Sequence, residues 1–382
     1  MTVENRAEVI IDLAAIEANV KYLMAKSGKP ALAVVKADAY GHGLVPVAKR
    51  ALEAGASWLG VALLEEALTL RESGITAPII AWLTPISDDF KSAVESDIDL
   101  AIPSLEHLHT VIEAGVTLRK TPRIHLEVDT GMSRGGALME WSELLQVAAA
   151  AQSSGKVKVI GIWSHFARAD EPGHSFNRDQ RERFIASIAE AKALGINPEI
   201  VHLSNSAATL NDPDSHFDLV RLGISMYGLS PDVQSMGDSQ KLNLKPALTL
   251  RAKVHLVKDV PAGSQVGYGG TAITKVDTKL AVIAMGYADG IPRNANSLAG
   301  VLIGNKMSPI IGRVSMDQFV VDLGKESQTQ SGDWAYLIGS PQGDSYTSDN
   351  CYTADSWAAA CGTINYEIVT RLGPRVKRTY IS

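Results

Sequence analysis

The stretches ALAVVK (31–36), SWLGVALL (57–64), APIIAWL (77–83), DLAIPS (99–104), RIHLEVDT (123–130), VKVIGIWSHF (157–166), EIVHLSN (199–205) and FDLVRLGI (217–224) decide the fold. Each is short, apolar and rich in β-branched residues, the pattern of strands buried on both faces of a parallel sheet. Between them lie amphipathic stretches such as LVPVAKRALEAGA (44–56), LLEEALTLRESGI (63–75) and SLEHLHTVIEAGV (104–116). Each ends in or near a glycine, which suits a helix C-cap. Eight such βα units predict an α/β architecture closed as a (β/α)₈ TIM barrel. An open, doubly wound sheet is the alternative; eight similar runs favour closure, which removes the exposed edges.

After about residue 240 the texture changes. LNLKPALTLRAKVHLVKDV (242–260) alternates apolar and polar residues, and KLAVIAMGY, AGVLIGNK, SPIIGRVSM, QFVVDL and DWAYLIG follow, split by Gly, Asp, Asn and Pro. This predicts a C-terminal, mainly-β domain. The expected division is a barrel over 1–240 and a β-strand domain over 241–382, with EVIIDL (8–13) as a strand that pairs with the second domain. Residues 340–362 are polar and small and read as an exposed excursion.

Composition narrows the function classes. The 382 residues carry a formal charge of −6, with 46% apolar and 20% charged side chains. That is an ordinary globular balance, not a disordered one. No basic stripe offsets the acidic total, which argues against a nucleic-acid partner. No apolar run approaches the ~20 residues that span a bilayer. The N-terminal MTVENRAEVI has no apolar core of a signal peptide, and only Cys351 and Cys361 occur. Both observations lead to the expectation of a cytoplasmic protein without a disulfide framework.

In a barrel, chemistry sits at the C-terminal ends of the strands. Reading those ends selects Lys36, Arg134, His165, Asn205, Ser206, Arg221 and Gly223. A strand-end lysine in apolar surroundings loses its proton easily and can act as nucleophile or base, although it can also snorkel to solvent. Asn205 and Ser206 stand where a short helix begins, and Gly223 follows the eighth run. Barrels often bind phosphate at these loops, although Ser206 alone reads equally as a helix N-cap. A lysine with a phosphate cradle suggests pyridoxal phosphate (PLP), whose aldehyde condenses with a lysine amine, and Arg221 would then face its ring. His107 and His109 lie two apart on a helix and point to different faces. His125, His165 and His202 lie on three strands, with His125 and Glu127 on one strand face and His202 in mid-strand. No dense ligand cluster emerges, so no metal is expected. His42 reads as a loop residue that bonds locally. Three later tyrosines, Tyr268, Tyr287 and Tyr366, read by spacing alone as ordinary β-domain aromatics.

AVVKADAYGHG (33–43), VDTGMSRGG (128–136), SHFARAD (164–170), HLSNSAATL (202–210), RLGISMYGLSP (221–231), VGYGGT (266–271), MGYADGIPR (285–293), GRVSMDQ (312–318) and INYE (364–367) together resemble the bacterial alanine racemases. The matches run in order through both halves of the chain. The resemblance implies a PLP-binding barrel, a C-terminal β domain that reaches the partner's active site, and a head-to-tail homodimer. It implies that Lys36 carries the cofactor and serves as one base, with Tyr268 as the opposing base across the dimer. Arg221 would bond the pyridine nitrogen, and His165 would link Arg221 to the tyrosine. Tyr40, Ser206, Gly223, Ile224 and Tyr366 would hold the phosphate, with Asn205 beside them. Arg134 would contact the cofactor's phenolic oxygen, and Met316 and Tyr287 would line the substrate's route and hold its carboxylate. The implied activity is interconversion of L- and D-alanine by two bases, which supplies D-alanine for peptidoglycan. A broader small-amino-acid racemase, for serine as an example, is the alternative; a PLP decarboxylase of the same fold would place an acid where Arg221 stands.

Two positions depart from the family. Glu127 stands where the family often has a carbamylated lysine, and is expected to orient Arg134 as a permanent anion. Gly267 stands where serine is common.

Overall fold

The computed structural model describes residues 5–341 and 350–382. The chain divides into two compact units. Of the described residues, one comprises 16–39 and 44–237; the other comprises 5–15, 40–43, 238–341 and 350–382.

Outside the first unit lies strand β1 (Ala7–Asp12). Within the unit all eight apolar runs are strands: β2 (Ala31–Val34), β3 (Trp58–Val61), β4 (Ile79–Ala81), β5 (Asp99–Ile102), β6 (Arg123–Glu127), β7 (Lys158–Trp163), β8 (Ile200–His202) and β9 (Val220–Leu222). They form one parallel sheet in the order β8-β7-β6-β5-β4-β3-β2-β9. The β2–β9 ladder joins the last strand to the first, with Ala31 opposite Val220 and Ala33 opposite Leu222. Between β8 and β9 single backbone bonds stand in for a ladder: Asp218 N–H donates to Val201 O at 3.1 Å and Arg221 N–H to Ser204 O at 3.1 Å. The sheet is a near-closed barrel, as the eight runs predict.

The helices follow the expected pattern with one revision. Leu44–Glu53 and Leu64–Glu72 stop just before Gly55 and Gly74, both at positive φ. Leu105–Leu118 instead runs through Gly115 and ends at Arg119 in the left-handed conformation. A Cβ at Gly115 would lie 2.5 Å from the Pro122 ring. That glycine makes room for a neighbouring segment; it does not cap.

In the second unit β1 pairs antiparallel with β10 (Leu248–Val260) and parallel with Lys377–Ile381. The first half of β10 alternates buried and half-buried residues, the period-two signature of its sequence. The expected excursion at 340–362 needs correction. Residues 342–349 lie outside the described residues, but Cys351 and Tyr352 are buried and Ala354–Cys361 is a helix. Thr353 caps it, accepting from Ser356 N–H at 3.0 Å. Trp357 is fully buried and its indole N–H donates to Leu337 O at 2.6 Å. The Phe319 ring meets it edge-on, with centroids 6.2 Å apart. Cys351 and Cys361 are both buried, and no disulfide joins them. Among the described residues no helix is long and apolar enough to cross a membrane.

Candidate active site

Lys36 follows β2 directly, at the C-terminal end of the barrel strands. Burial pushes its amine below the ordinary lysine range, the Arg134 charge adds to this, and Glu66 opposes it. The backbone beyond Lys36 is unusual. Ala37, Ala39 and Asp38 between them have φ near +53 and ψ near +50, and Tyr40 continues with φ +53. Such a left-handed turn costs about 1–2 kcal/mol per non-glycine residue. It persists where its surroundings over-determine it. Here Glu66 accepts from Ala37 N–H at 2.6 Å, and Asp38 accepts from Leu44 N–H at 2.8 Å. The second carboxylate oxygen of Glu66 accepts from Ala62 and Leu63 N–H, both at 3.1 Å, so one side chain ties the end of β3 to the residue after Lys36.

Arg221 lies inside the barrel, 4% exposed. Its guanidinium donates to Ser164 O at 3.0 Å, His202 O at 3.1 Å and His165 Nδ1 at 3.0 Å, and sits 5.1 Å from the Trp163 ring centroid. Burial pulls it down to about 9, so it remains protonated at neutral pH. A guanidinium only donates, so His165 Nδ1 accepts and carries no proton. Burial, then the charges of Arg221, Arg134 and Lys36, hold the His165 imidazole well below its usual range.

The end of β8 revises one assignment. Asn205, not Ser206, caps the helix Ser206–Asn211, its side chain accepting from Ala208 N–H at 3.0 Å. The Ser206 hydroxyl instead accepts from Gly223 N–H at 2.9 Å and Ser225 N–H at 3.3 Å. It therefore gathers the loop after β9, beside Ile224. The Ser225 hydroxyl is buried with no hydrogen-bond partner. Such a group needs a partner from outside the chain or carries a desolvation penalty. Sequence reading passed over Ser225; its place two residues after Gly223 was the available signal. His202 closes β8, not its middle.

Glu127 ends β6, 8% exposed. Burial raises its carboxyl to about 7, against the pull of Arg221 and then Arg134. Arg134 is exposed and makes no hydrogen bond to Glu127; Asp129 shapes its loop by accepting from Gly131 and Ser133 N–H at 2.8 and 3.1 Å. The anion therefore bears first on Arg221. A Cβ on Gly135 would lie 3.0 Å from Glu127 Oε1, and one on Gly136 would lie 3.0 Å from its Cγ. The two glycines leave the space that the carboxylate fills.

The second unit holds the remaining residues. Tyr40 and Tyr366 have ring centroids 6.2 Å apart, and burial pushes the Tyr40 phenol well up. His42 bonds locally, through Nδ1 to Tyr40 O at 2.9 Å. Tyr287 and Met316 are brought together by bonds from Tyr287 N–H to Ser315 O and from Ala288 N–H to Met316 O. Tyr268, Met316 and Tyr287 are exposed by 69%, 53% and 39%. Gly267 adopts φ +71, where a side chain is strained, which accounts for glycine at that position.

Two outcomes follow from this geometry. Ala37→Gly relieves a left-handed residue whose side chain is exposed, and should stabilise the chain by about 1 kcal/mol in denaturant unfolding, whereas Ala37→Val should destabilise it. Equal stability of all three chains would show that the turn is unstrained. For Glu127, a carboxyl raised on folding holds its proton more tightly in the folded state, so its contribution falls as pH rises from 4.5 to about 7. The Tm of Glu127→Gln relative to the parent should therefore climb through that window; a difference flat with pH contradicts the burial argument.

Comparison with known proteins covers both units of the chain. The family profile "Alanine racemase, N-terminal domain" matches residues 11–231, and "Alanine racemase, C-terminal domain" matches 247–380. The alanine racemase of Salinispora tropica is 48% identical over 377 residues, covering 98% of each chain. The crystal structure of alanine racemase from D-cycloserine-producing Streptomyces lavendulae matches with TM-score 0.95 at 46% identity, covering 100% of this chain and 98% of that one. That of Bacillus anthracis alanine racemase with bound L-Ala-P matches with TM-score 0.88 at 38% identity, covering 100% and 96%. The chain belongs to the alanine racemase family, PLP-dependent isomerases that pair a (β/α)₈ barrel with a mainly-β C-terminal domain.

Proposed function

We propose that the chain interconverts L- and D-alanine with pyridoxal phosphate held at the C-terminal end of its barrel. The observation that carries the reading is the desolvated Lys36 amine in the same strand-end region as the buried Arg221–His165 pair. Three features fit the cofactor. Lys36 is an amine with a lowered pKa at a strand end. Arg221 is a buried donor. The loop gathered by Ser206 contains a buried hydroxyl, Ser225, without a partner.

When bound, pyridoxal phosphate supplies an electron sink that acidifies the Cα–H bond of an amino acid. Lys36 would hold the cofactor and take or give a proton at Cα on one face. Tyr268 would do the same on the other face, donated by a second copy of the chain. The exposure of Tyr268, Met316 and Tyr287 supports a homodimer that covers them, with Met316 and Tyr287 beside the substrate's route and carboxylate. Arg221 would donate to the ring nitrogen. Because it keeps its own proton, it leaves that nitrogen unprotonated. His165 would connect Arg221 to the tyrosine, and the positive charge at Arg221 would favour the tyrosinate. Arg134 would approach the phenolic oxygen.

Ser206, Gly223 and Ile224 would receive the phosphate, with Ser225 as an added donor. Tyr40 and Tyr366 are assigned to the phosphate on the family likeness alone. Asn205 would act by capping the helix that carries Ser206. Glu127 would balance the Arg221 and Arg134 charges without carbamylation. On this reading alanine is used in preference to serine, the D-alanine supplies peptidoglycan, and the chain works in the cytoplasm.

PLP-loaded protein incubated with L-alanine in deuterated water should accumulate D-alanine bearing deuterium at Cα. Carbon dioxide release would assign a decarboxylase. Absence of both exchange and decarboxylation would reject the enzyme reading.

A further inference from the structure

Behind the candidate site, a file of side chains runs through the barrel interior. Arg221 Nη1 stands 3.3 Å from His202 Nδ1. His202 Nε2 stands 3.1 Å from His125 Nδ1, and His125 Nε2 stands 3.2 Å from Asp99 Oδ2. Asp99 is held by Arg123, from Nε to Oδ1 at 2.7 Å and from Nη2 to Oδ2 at 3.1 Å. His202 closes β8, whereas Asp99 and Arg123 open β5 and β6. The file therefore reaches from the functional end of the strands to their opposite end. Asp99, His125 and His202 are each at most 1% exposed, so bulk solvent does not reach them.

The two ends dictate the direction of every bond between them. A guanidinium donates and never accepts, and an ionised carboxylate accepts and never donates. His202 Nδ1 must therefore accept from Arg221, which leaves the His202 proton on Nε2. That proton goes to His125 Nδ1, so the His125 proton sits on its own Nε2 and goes to Asp99. The reverse order fails at both ends. It points an imidazole N–H at the guanidinium and asks an anion to donate. A doubly protonated His202 meets the same clash, and burial with the Arg221 charge disfavours it.

The rings have little freedom to turn. His202 stacks on Trp163, centroids 5.8 Å apart and planes 5° apart, and Trp163 also lies beside the guanidinium. His125 packs edge-on to Trp58. It occupies space left by Gly161, where a Cβ would lie 2.2 Å from His125 Nδ1.

We infer that Asp99 is a positioning residue for the reaction: through His125 and His202 it fixes the tautomer that gives Arg221 its acceptor, and so orients the guanidinium from the far end of the barrel. Through its effect on the ring nitrogen, this role rests on the proposed function. The tautomers themselves do not.

The test uses the PLP-loaded enzyme labelled with ¹⁵N-histidine. Two-bond ¹⁵N–¹H correlations distinguish the two neutral tautomers and the cation, and His125→Gln and His202→Gln assign the signals. Both rings should be neutral with the proton on Nε2. A proton on Nδ1 of either ring, or a doubly protonated ring, overturns the inference whether or not the protein racemises alanine. The predicted tautomers without racemisation would sink the proposed function and leave the file's polarity standing. In Asp99→Leu the His125 Nε2 proton loses its acceptor, so the minor tautomers held down by both ends should become detectable, the cofactor's visible absorption should shift, and kcat should fall about tenfold with KM within twofold. Unchanged tautomers and kcat overturn the positioning role. The tautomer measurement needs no change at Asp99, so it decides the matter even if that variant does not fold.

Discussion

A guanidinium buried inside a barrel is the constraint around which the first unit is arranged. Arg221 cannot shed its charge at neutral pH, so it must be surrounded by acceptors. The molecule provides two backbone carbonyls, two imidazole nitrogens, an aromatic face and the field of Glu127. Each partner loses freedom in return. His165 and His202 are held neutral, and both must present a bare Nδ1. The cation, with Asp99 at the far end of the file, thus sets the protonation of its neighbours over several strands.

Lys36 obeys a complementary rule. Its amine is useful because it sheds its proton, and burial with a nearby Arg134 charge moves it that way. The chain holds it by a costly device, a left-handed turn over Ala37–Tyr40 tied down by Glu66 and Asp38. Strain of this kind concentrates where a side chain must be aimed. One permanent cation and one yielding amine thus stand at the same end of the barrel, and the proposed chemistry rests on that pairing.

The barrel was readable from sequence because strands buried on both faces need unbroken apolar runs, and eight of them stand out from residue 31 to 224. The strand ends then led to Lys36, Arg221 and Ser206 by position. What stayed hidden has particular causes. The left-handed turn uses Ala, Asp, Ala and Tyr, none of which announces positive φ as glycine does. Ser225 stands two residues after Gly223, but its burial without a hydrogen-bond partner is a property of the folded loop alone. The helix at Ala354–Cys361 has small and polar residues that read as a loop, and its one large residue, Trp357, finds its pocket only in three dimensions. Asp99, His125 and His202 are far apart in the chain; the barrel brings them into one file, and no local pattern links them.

The most direct measurement of this account is the protonation of the cofactor's ring nitrogen, read by ¹⁵N NMR of the protein loaded with pyridine-¹⁵N-labelled pyridoxal phosphate. A donor that keeps its own proton leaves that nitrogen unprotonated, and the shift should be that of a neutral, hydrogen-bonded pyridine. A shift typical of a pyridinium would mean that Arg221 does not face the ring as proposed.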